Sequence, residues 1–283
     1  MKYWQIFSCA LLIFLIGLFP LSFADEIKIH VIDVGSGDAV LLQTDNSDIL
    51  IDAGSDRNST ALYLTDQNVT DVDLFLVTGY SYDKTGGILE VMNRTSVHEY
   101  RDYGQNPSLP AYQRVQSRLL NESILNSKLV PGEKITAGEN VFIEVVPVNQ
   151  TDEDYYDEVL LKITAGNIST LLLNKDAAPE IPSDEPIQIL RMADHGSRNG
   201  YNAKFIHDIH PEVAIISTGN TNGPDQATVM GLEAAGAEVF RTDIRGTILI
   251  LTDGEKYDIA TNRTLPFGGK LSLVSVIETR PPG

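Results

Sequence analysis

The stretch Thr78–Gly87 reads Thr-Gly-Tyr-Ser-Tyr-Asp-Lys-Thr-Gly-Gly and follows an apolar run, Leu74–Val77. A buried strand opening into a glycine-containing loop is a common way to position reactive side chains. The chemistry on offer is an acid beside a base. Asp83 supplies a carboxylate for proton transfer or a hard cation, and Lys84 supplies an ammonium. The loop has no histidine and no cysteine. A second chemical signal is His195, in Ala-Asp-His-Gly-Ser after the strand-like run 186–192. Two readings are open for it: a general base or metal neighbour, or an imidazole bonded to backbone at a turn. His30 falls inside a strand, and His98, His207 and His210 fall near element ends. None of the five has the spacing of a ligand pair on one helix face. Tyr80 and Tyr82 flank the loop. With Tyr100, Tyr103 and Tyr112 they are read either as an aromatic rim for a sugar or peptide, or as amphipathic surface residues.

Positioning such groups requires strands. Residues 26–34, 38–44 and 48–54 are apolar-rich runs separated by short polar turns, which predicts an antiparallel meander. The turn Gly35-Ser36-Gly37-Asp38 has no helix after it and is no phosphate cradle. Residues 56–66 read as helix, as does the segment after Pro110, where Tyr112, Val115, Leu119 and Leu120 share a face. Strand-like runs follow at 141–148, 158–164 and 169–174. The second half alternates: strand 186–192, helix 202–208, strand 212–218, helix 225–236, then strands near 238, 246–252 and 256–260. Two groups of strands, each followed by helices, predict two sheets packed face to face with helices outside.

The N-terminus has Lys2, an apolar stretch from Ile6 to Phe19, then Pro20 and Ser22-Phe23-Ala24. That is the layout of a signal peptide over residues 1–24, with an uncleaved membrane anchor as the alternative. Cys9 is the single cysteine, so the chain beyond the signal holds no disulfide and no thiolate ligand. Removing Lys2 leaves 20 basic against 39 acidic residues, a net charge of −19. Such a surface repels polyanions, so strong nucleic-acid binding is not expected. Seven Asn-x-Ser/Thr acceptors occur, at Asn58, Asn68, Asn93, Asn121, Asn149, Asn167 and Asn262. Composition alone predicts about two, which points to an exported glycoprotein, secreted or at the cell surface.

Several segments also resemble, in order, the metallo-β-lactamase fold. They are His30–Leu42, Ile49–Gly54, Thr78–Gly87, Leu171–Ala177, Ala193–Ser197, Val213–Gly223 and Ala235–Gly254. More closely, they are similar to the hydrolase domain of ComEC-type competence proteins and their free-standing relatives. The resemblance implies a four-layer αββα sandwich over residues 25–262, with 263–283 as a C-terminal tail. It also implies a metal centre, and there this sequence departs from the family pattern. Gly79, Ser81 and Lys84 stand where the family's loop carries metal ligands, and Asp83 alone matches. Asp176 matches a bridging aspartate. Asp194 replaces a histidine, with His195 kept beside it. A later histidine has no counterpart in Asn222–Gln226.

The remnant positions are therefore Asp83, Asp176, Asp194 and His195, with Asp83 and His195 the candidates for any catalytic role. Zinc prefers imidazole and thiolate, and an ammonium among carboxylates repels a cation. The resemblance thus implies a degenerate site with no resident cofactor, in which Lys84 pairs with Asp176 or Asp194 in place of metal. The alternatives are a single divalent cation on the carboxylates, or a zinc or manganese pair in an active hydrolase of the phosphodiesterase or nuclease type. The function expected is that of a non-catalytic binding or envelope protein, its partner being an envelope or extracellular molecule, with membrane contact only through an uncleaved signal segment.

Overall fold

The computed structural model describes residues 26–103, 110–146, 159–174, 186–219 and 223–261, together with the backbone of 276–277. The signal-peptide reading, Asp176, Asn149, Asn262 and most of the C-terminal tail lie outside the described residues. No helix among them is long and apolar enough to cross a membrane.

The first half runs β1 (Ile27–Val31), β2 (Val40–Gln43), β3 (Asp48–Ile51), α1 (Ser59–Asp66), β4 (Asp71–Val77), α2 (Tyr82–Thr85), α3 (Ile88–Arg94), β5 (Ser96–Asp102), α4 (Pro110–Asn121) and β6 (Leu125–Lys128). It continues through β7 (Lys134–Gly138), β8 (Val141–Val146), β9 (Leu160–Ala165) and β10 (Ile168–Leu172). The second half runs β11 (Ile189–Arg191), a single 3-10 turn at Asp194–Gly196, α5 (Ala203–Ile209), β12 (Val213–Ile216), α6 (Gln226–Ala234), β13 (Glu238–Arg241), α7 (Thr242–Arg245), β14 (Ile248–Thr252), β15 (Tyr257–Thr261) and β16 (Val276–Ile277).

The strands form two mixed sheets. One has nine strands in the order β16-β15-β14-β1-β2-β3-β4-β5-β6, and the other has seven in the order β13-β12-β11-β10-β9-β8-β7. The expected meander is present, with β1–β2 and β2–β3 antiparallel. Three apolar clusters fill three interlayer spaces. Ile29, Val31, Ile49 and Leu76 of the first sheet meet Ile143, Leu161, Ile163 and Ile189 of the second. Leu41, Leu50 and Phe75 pack outward under Ala61, Leu64 and Val91 of the first helix layer and Val115 and Leu119 of α4. Leu171, Leu190 and Ile216 pack outward under Phe205 and Ile206 of α5 and Leu232 of α6. Both faces of each sheet are covered, which is why the strands read as near-continuous apolar runs. This is the helix–sheet–sheet–helix sandwich expected from the sequence.

Six elements escaped the sequence reading: α2, α3, β5, β6, β7 and α7. β5 reads Ser-Val-His-Glu-Tyr-Arg-Asp, with burial at Val97, Tyr100 and Asp102 instead of regular alternation. β6 is fully exposed at the sheet edge, so its sequence carries no core pattern.

Parallel pairing decides where a site can form. β3, β4, β5 and β6 run parallel in the first sheet, and β10, β11, β12 and β13 in the second. The carboxyl ends of such strands open a crevice where loops converge. A backbone bond from Val159 N–H to Thr78 O, 2.8 Å, ties the two sheets together there.

Candidate functional site: a buried charge centre

Each side chain of the centre leaves a strand end or the turn beside it. Asp38 sits in the turn between β1 and β2. Asp52 follows β3, with φ of 57°, a left-handed conformation that aspartate tolerates better than most residues. Thr78 follows β4 and Asn174 follows β10. Arg191 is the last residue of β11, and His195 lies in the 3-10 turn just beyond. The short helix α2 carries Asp83 and Lys84. Glycines let α2 press onto the turn after β3: a Cβ on Gly86 would stand 2.4 Å from Ser55 O, and one on Gly87 2.3 Å from Ala53 O. The glycine pair is therefore a packing requirement, holding Lys84 over the crevice. Backbone bonds from Ala53 N–H to Lys84 O (2.7 Å) and from Asp38 N–H to Asp83 O (2.9 Å) complete the clamp.

At the centre Asp38 is held by two cations, one on each oxygen. Lys84 Nζ donates to Oδ2 at 2.5 Å, and Arg191 Nη1 donates to Oδ1 at 2.7 Å. All three side chains are buried, Lys84 and Arg191 at 2 % exposure and Asp38 at 5 %. Asn174 bridges the cations. Its Oδ1 accepts from Arg191 Nη2 at 2.6 Å and from Lys84 at 3.4 Å, and its amide donates to Val159 O. Burial alone would raise the Asp38 pKa. Arg191 and Lys84 outweigh it and hold the carboxyl well below the usual range. Asp52, one layer further in, accepts from the Thr78 N–H at 2.8 Å and the Thr78 hydroxyl at 2.6 Å. Burial pushes its pKa up to about 7, with Lys84 and the Thr78 donors pulling it partly back.

The rim differs. His195 Nδ1 donates to Ser217 O at 3.0 Å, which fixes the ring and aims Nε2 at Asp83 Oδ2, 3.5 Å away. Burial opposes the imidazolium, but the Asp83 hydrogen bond wins and raises the His195 pKa. Burial likewise opposes the Asp83 carboxylate, and His195 and Lys84 hold its pKa down. Both readings offered for His195 thus have geometry behind them: it bonds to backbone at a turn, and it faces a carboxylate.

Of the positions singled out in the sequence, Asp83, Lys84 and His195 come together. Asp194 does not join Lys84: it is exposed and accepts from Ser197 Oγ. Lys84 takes Asp38 as its partner, with Asp83 Oδ2 at 4.0 Å, so the expected pairing with Asp194 is corrected. The reason is burial: the ammonium follows the carboxylate that lies inside with it. Asp176 falls outside the described residues. Asp38, Asp52, Asn174 and Arg191 were not foreseen as site residues. The available signal was Arg191, a charge closing an otherwise apolar strand, which must find a buried partner. The five described glycan acceptors, Asn58, Asn68, Asn93, Asn121 and Asn167, are all exposed.

Among the described residues the donor set does not fit a divalent metal pair. Asp38 is saturated on both oxygens by fixed cations, and an ammonium and a guanidinium repel a metal ion. Among the described residues no three His, Cys, Asp or Glu side chains gather as a metal-binding group.

The comparisons agree on the fold. The chain is 22% identical over 270 residues to ComE operon protein 3 of Bacillus subtilis, covering 85% of this chain but 35% of that relative. It thus spans about a third of the length of the curated relative it matches. The metallo-beta-lactamase fold protein YhfI from Bacillus subtilis superposes with a TM-score of 0.59 at 13% identity, over 81% of this chain and all of that one. A diphosphatase from the PhnP family gives 0.53 at 14% identity, over 80% and 98%. Igni18, a metallo hydrolase from Ignicoccus hospitalis, gives 0.52 at 16% identity, over 79% and 98%. Residues 32–219 match the family described as the metallo-beta-lactamase superfamily, and the chain belongs to that superfamily.

Proposed function

We propose that this chain is a metal-free, non-catalytic binding protein built on a hydrolase fold, working outside the cell or in its envelope. The observation that carries this reading is Asp38 held between Lys84 and Arg191. A two-metal hydrolase generates its nucleophile by lowering the pKa of metal-bound water. In this centre the charge balance is already supplied by side chains. Neither cation is exposed enough to leave for a metal, and removing either strands a buried carboxylate. The export part of the proposal is supported by the N-terminal apolar segment and the exposed glycan acceptors. The net charge of −18 supports a partner other than nucleic acid.

A second reading is favoured by one observation, the Asp83–His195 pair at the rim. In that reading a carboxylate and an imidazole serve a phosphodiester hydrolase with a divalent ion bound at the rim, or with a zinc or manganese pair. Turnover separates the two. Incubating the protein with bis(p-nitrophenyl) phosphate and zinc, manganese, magnesium or calcium should release p-nitrophenol no faster than metal alone. Metal-dependent turnover that His195→Ala abolishes would establish the hydrolase instead.

A further inference from the structure

A second concavity lies on the outer side of α2, away from the buried centre. It is a cavity of about 480 Å³ between α2, α3 and α4. That volume falls in the range that takes a small organic ligand. Tyr80, Tyr82, Tyr100 and Tyr112 line it, with Arg57 from the loop before α1 and Arg114 from α4. Tyr80 and Tyr112 meet edge to face, with ring centroids 5.8 Å apart and planes at 89°. Tyr82 is 66% exposed. Tyr100 is buried with its ring against Phe75, so the floor is fixed by the core.

Charge gives the cavity its chemistry. Glu90, the acidic residue on its wall, is already engaged by Arg94 at 2.7 Å and Asn93 at 3.3 Å. Neither Arg57 nor Arg114 forms an ion pair among the described residues, whereas Arg94, Arg101, Arg118, Arg191 and Arg241 all do. Arg57 and Arg114 line the cavity from separate elements; Arg198 and Arg245, elsewhere, likewise form no ion pair among the described residues. Guanidinium recognises carboxylate and phosphate with paired N–H donors, and tyrosine faces accept flat or apolar ring faces.

We infer that this cavity binds a small organic anion that carries a ring, the ring lying on the tyrosines and the carboxylate or phosphate on Arg57 and Arg114. The inference rests on the reading of the protein as a binder and supplies that reading with a ligand class. A sugar acid and a nucleoside monophosphate share this chemistry. The net negative surface favours one or two charges over a polyanion.

Calorimetric titration with glucuronate and with adenosine 5′-monophosphate tests it. Methyl glucoside, adenosine and inorganic phosphate serve as stripped controls. At least one ring-bearing anion should bind, more tightly than its neutral parent and than phosphate alone, and more weakly as salt rises. The double variant R57Q/R114Q should lose about tenfold or more in affinity, and Tyr112→Ala should lose affinity for the ring-bearing anion with no change for phosphate. The sugar acid binding alone, or the nucleotide alone, identifies the source. Binding by neither anion overturns the inference, as does equal binding of the neutral parents or binding that R57Q/R114Q leaves intact. Metal content and turnover are read on the same sample. Turnover with the cavity binding intact defeats the binder reading alone, and absent binding in inert protein defeats the cavity alone.

Discussion

The two faces of α2 make opposite use of charge. Inward, Lys84 is 2% exposed and locked to Asp38, which Arg191 also holds. Outward, Tyr82 is 66% exposed beside a cavity whose two arginines have no acidic partner among the described residues. A charge saturated inside the protein maintains the fold and has little capacity left for a ligand. A charge left open at the surface contributes little to stability and remains available for recognition. Charges are thus closed on one another on one side of a four-residue helix, while a cavity stands open on the other.

Substitutions can break this contrast, and the largest effect belongs to the interior. Arg191→Ala removes three hydrogen bonds, to Asp38, Asn174 and the Met192 carbonyl, and should cost about 5 kcal/mol in urea-induced unfolding. Lys84→Ala should cost about 3 kcal/mol, because it removes the bond to Asp38 and only a longer contact to Asn174. Combining Asp38→Asn with Lys84→Met should cost less than the sum of the single changes, since the pair disappears together. Full additivity would show that the pair is not coupled.

Asp52 sharpens the contrast through pH. Its folded pKa, pushed up to about 7, lies above the ordinary aspartate value of 3.8, so the folded state keeps a proton that the unfolded chain releases. Its stabilising contribution is therefore full below about pH 4 and is lost as the pH rises through about 7. Asp38 works the other way, its depressed pKa costing stability as the pH falls below the ordinary carboxylate range. Stability should decline on the order of a few kcal/mol from pH 4 towards pH 8, and Asp52→Asn should flatten that slope. An unchanged slope in the variant would remove Asp52 from the account. The smallest effect belongs to the surface: R57Q/R114Q should shift unfolding free energy by no more than about 0.5 kcal/mol.

Much of the sandwich was legible because its strands are buried on both faces and read as apolar runs. The edge strands were not, since exposed residues such as Leu125 and Asn126 carry no core signal. At the centre, Asp83, Lys84 and His195 were legible from their loops. Asp38 was hidden because a Gly-Ser-Gly-Asp turn reads as a turn, and nothing local shows that its side chain points inward. Arg191 lies 153 residues from Asp38, and no spacing rule joins them. Five tyrosines offer either an aromatic rim or an amphipathic surface in the sequence. Four line the cavity, and the fifth, Tyr103, packs against the inter-sheet core.

The most direct test of the central claim is metal stoichiometry. Protein purified without chelator, equilibrated with excess zinc or manganese and then freed of unbound ion, is analysed by elemental mass spectrometry. Side-chain replacement of the metal centre predicts less than about 0.1 equivalent retained, with unfolding unchanged by added metal. Two tightly held equivalents, or one equivalent that raises the unfolding midpoint, would contradict it.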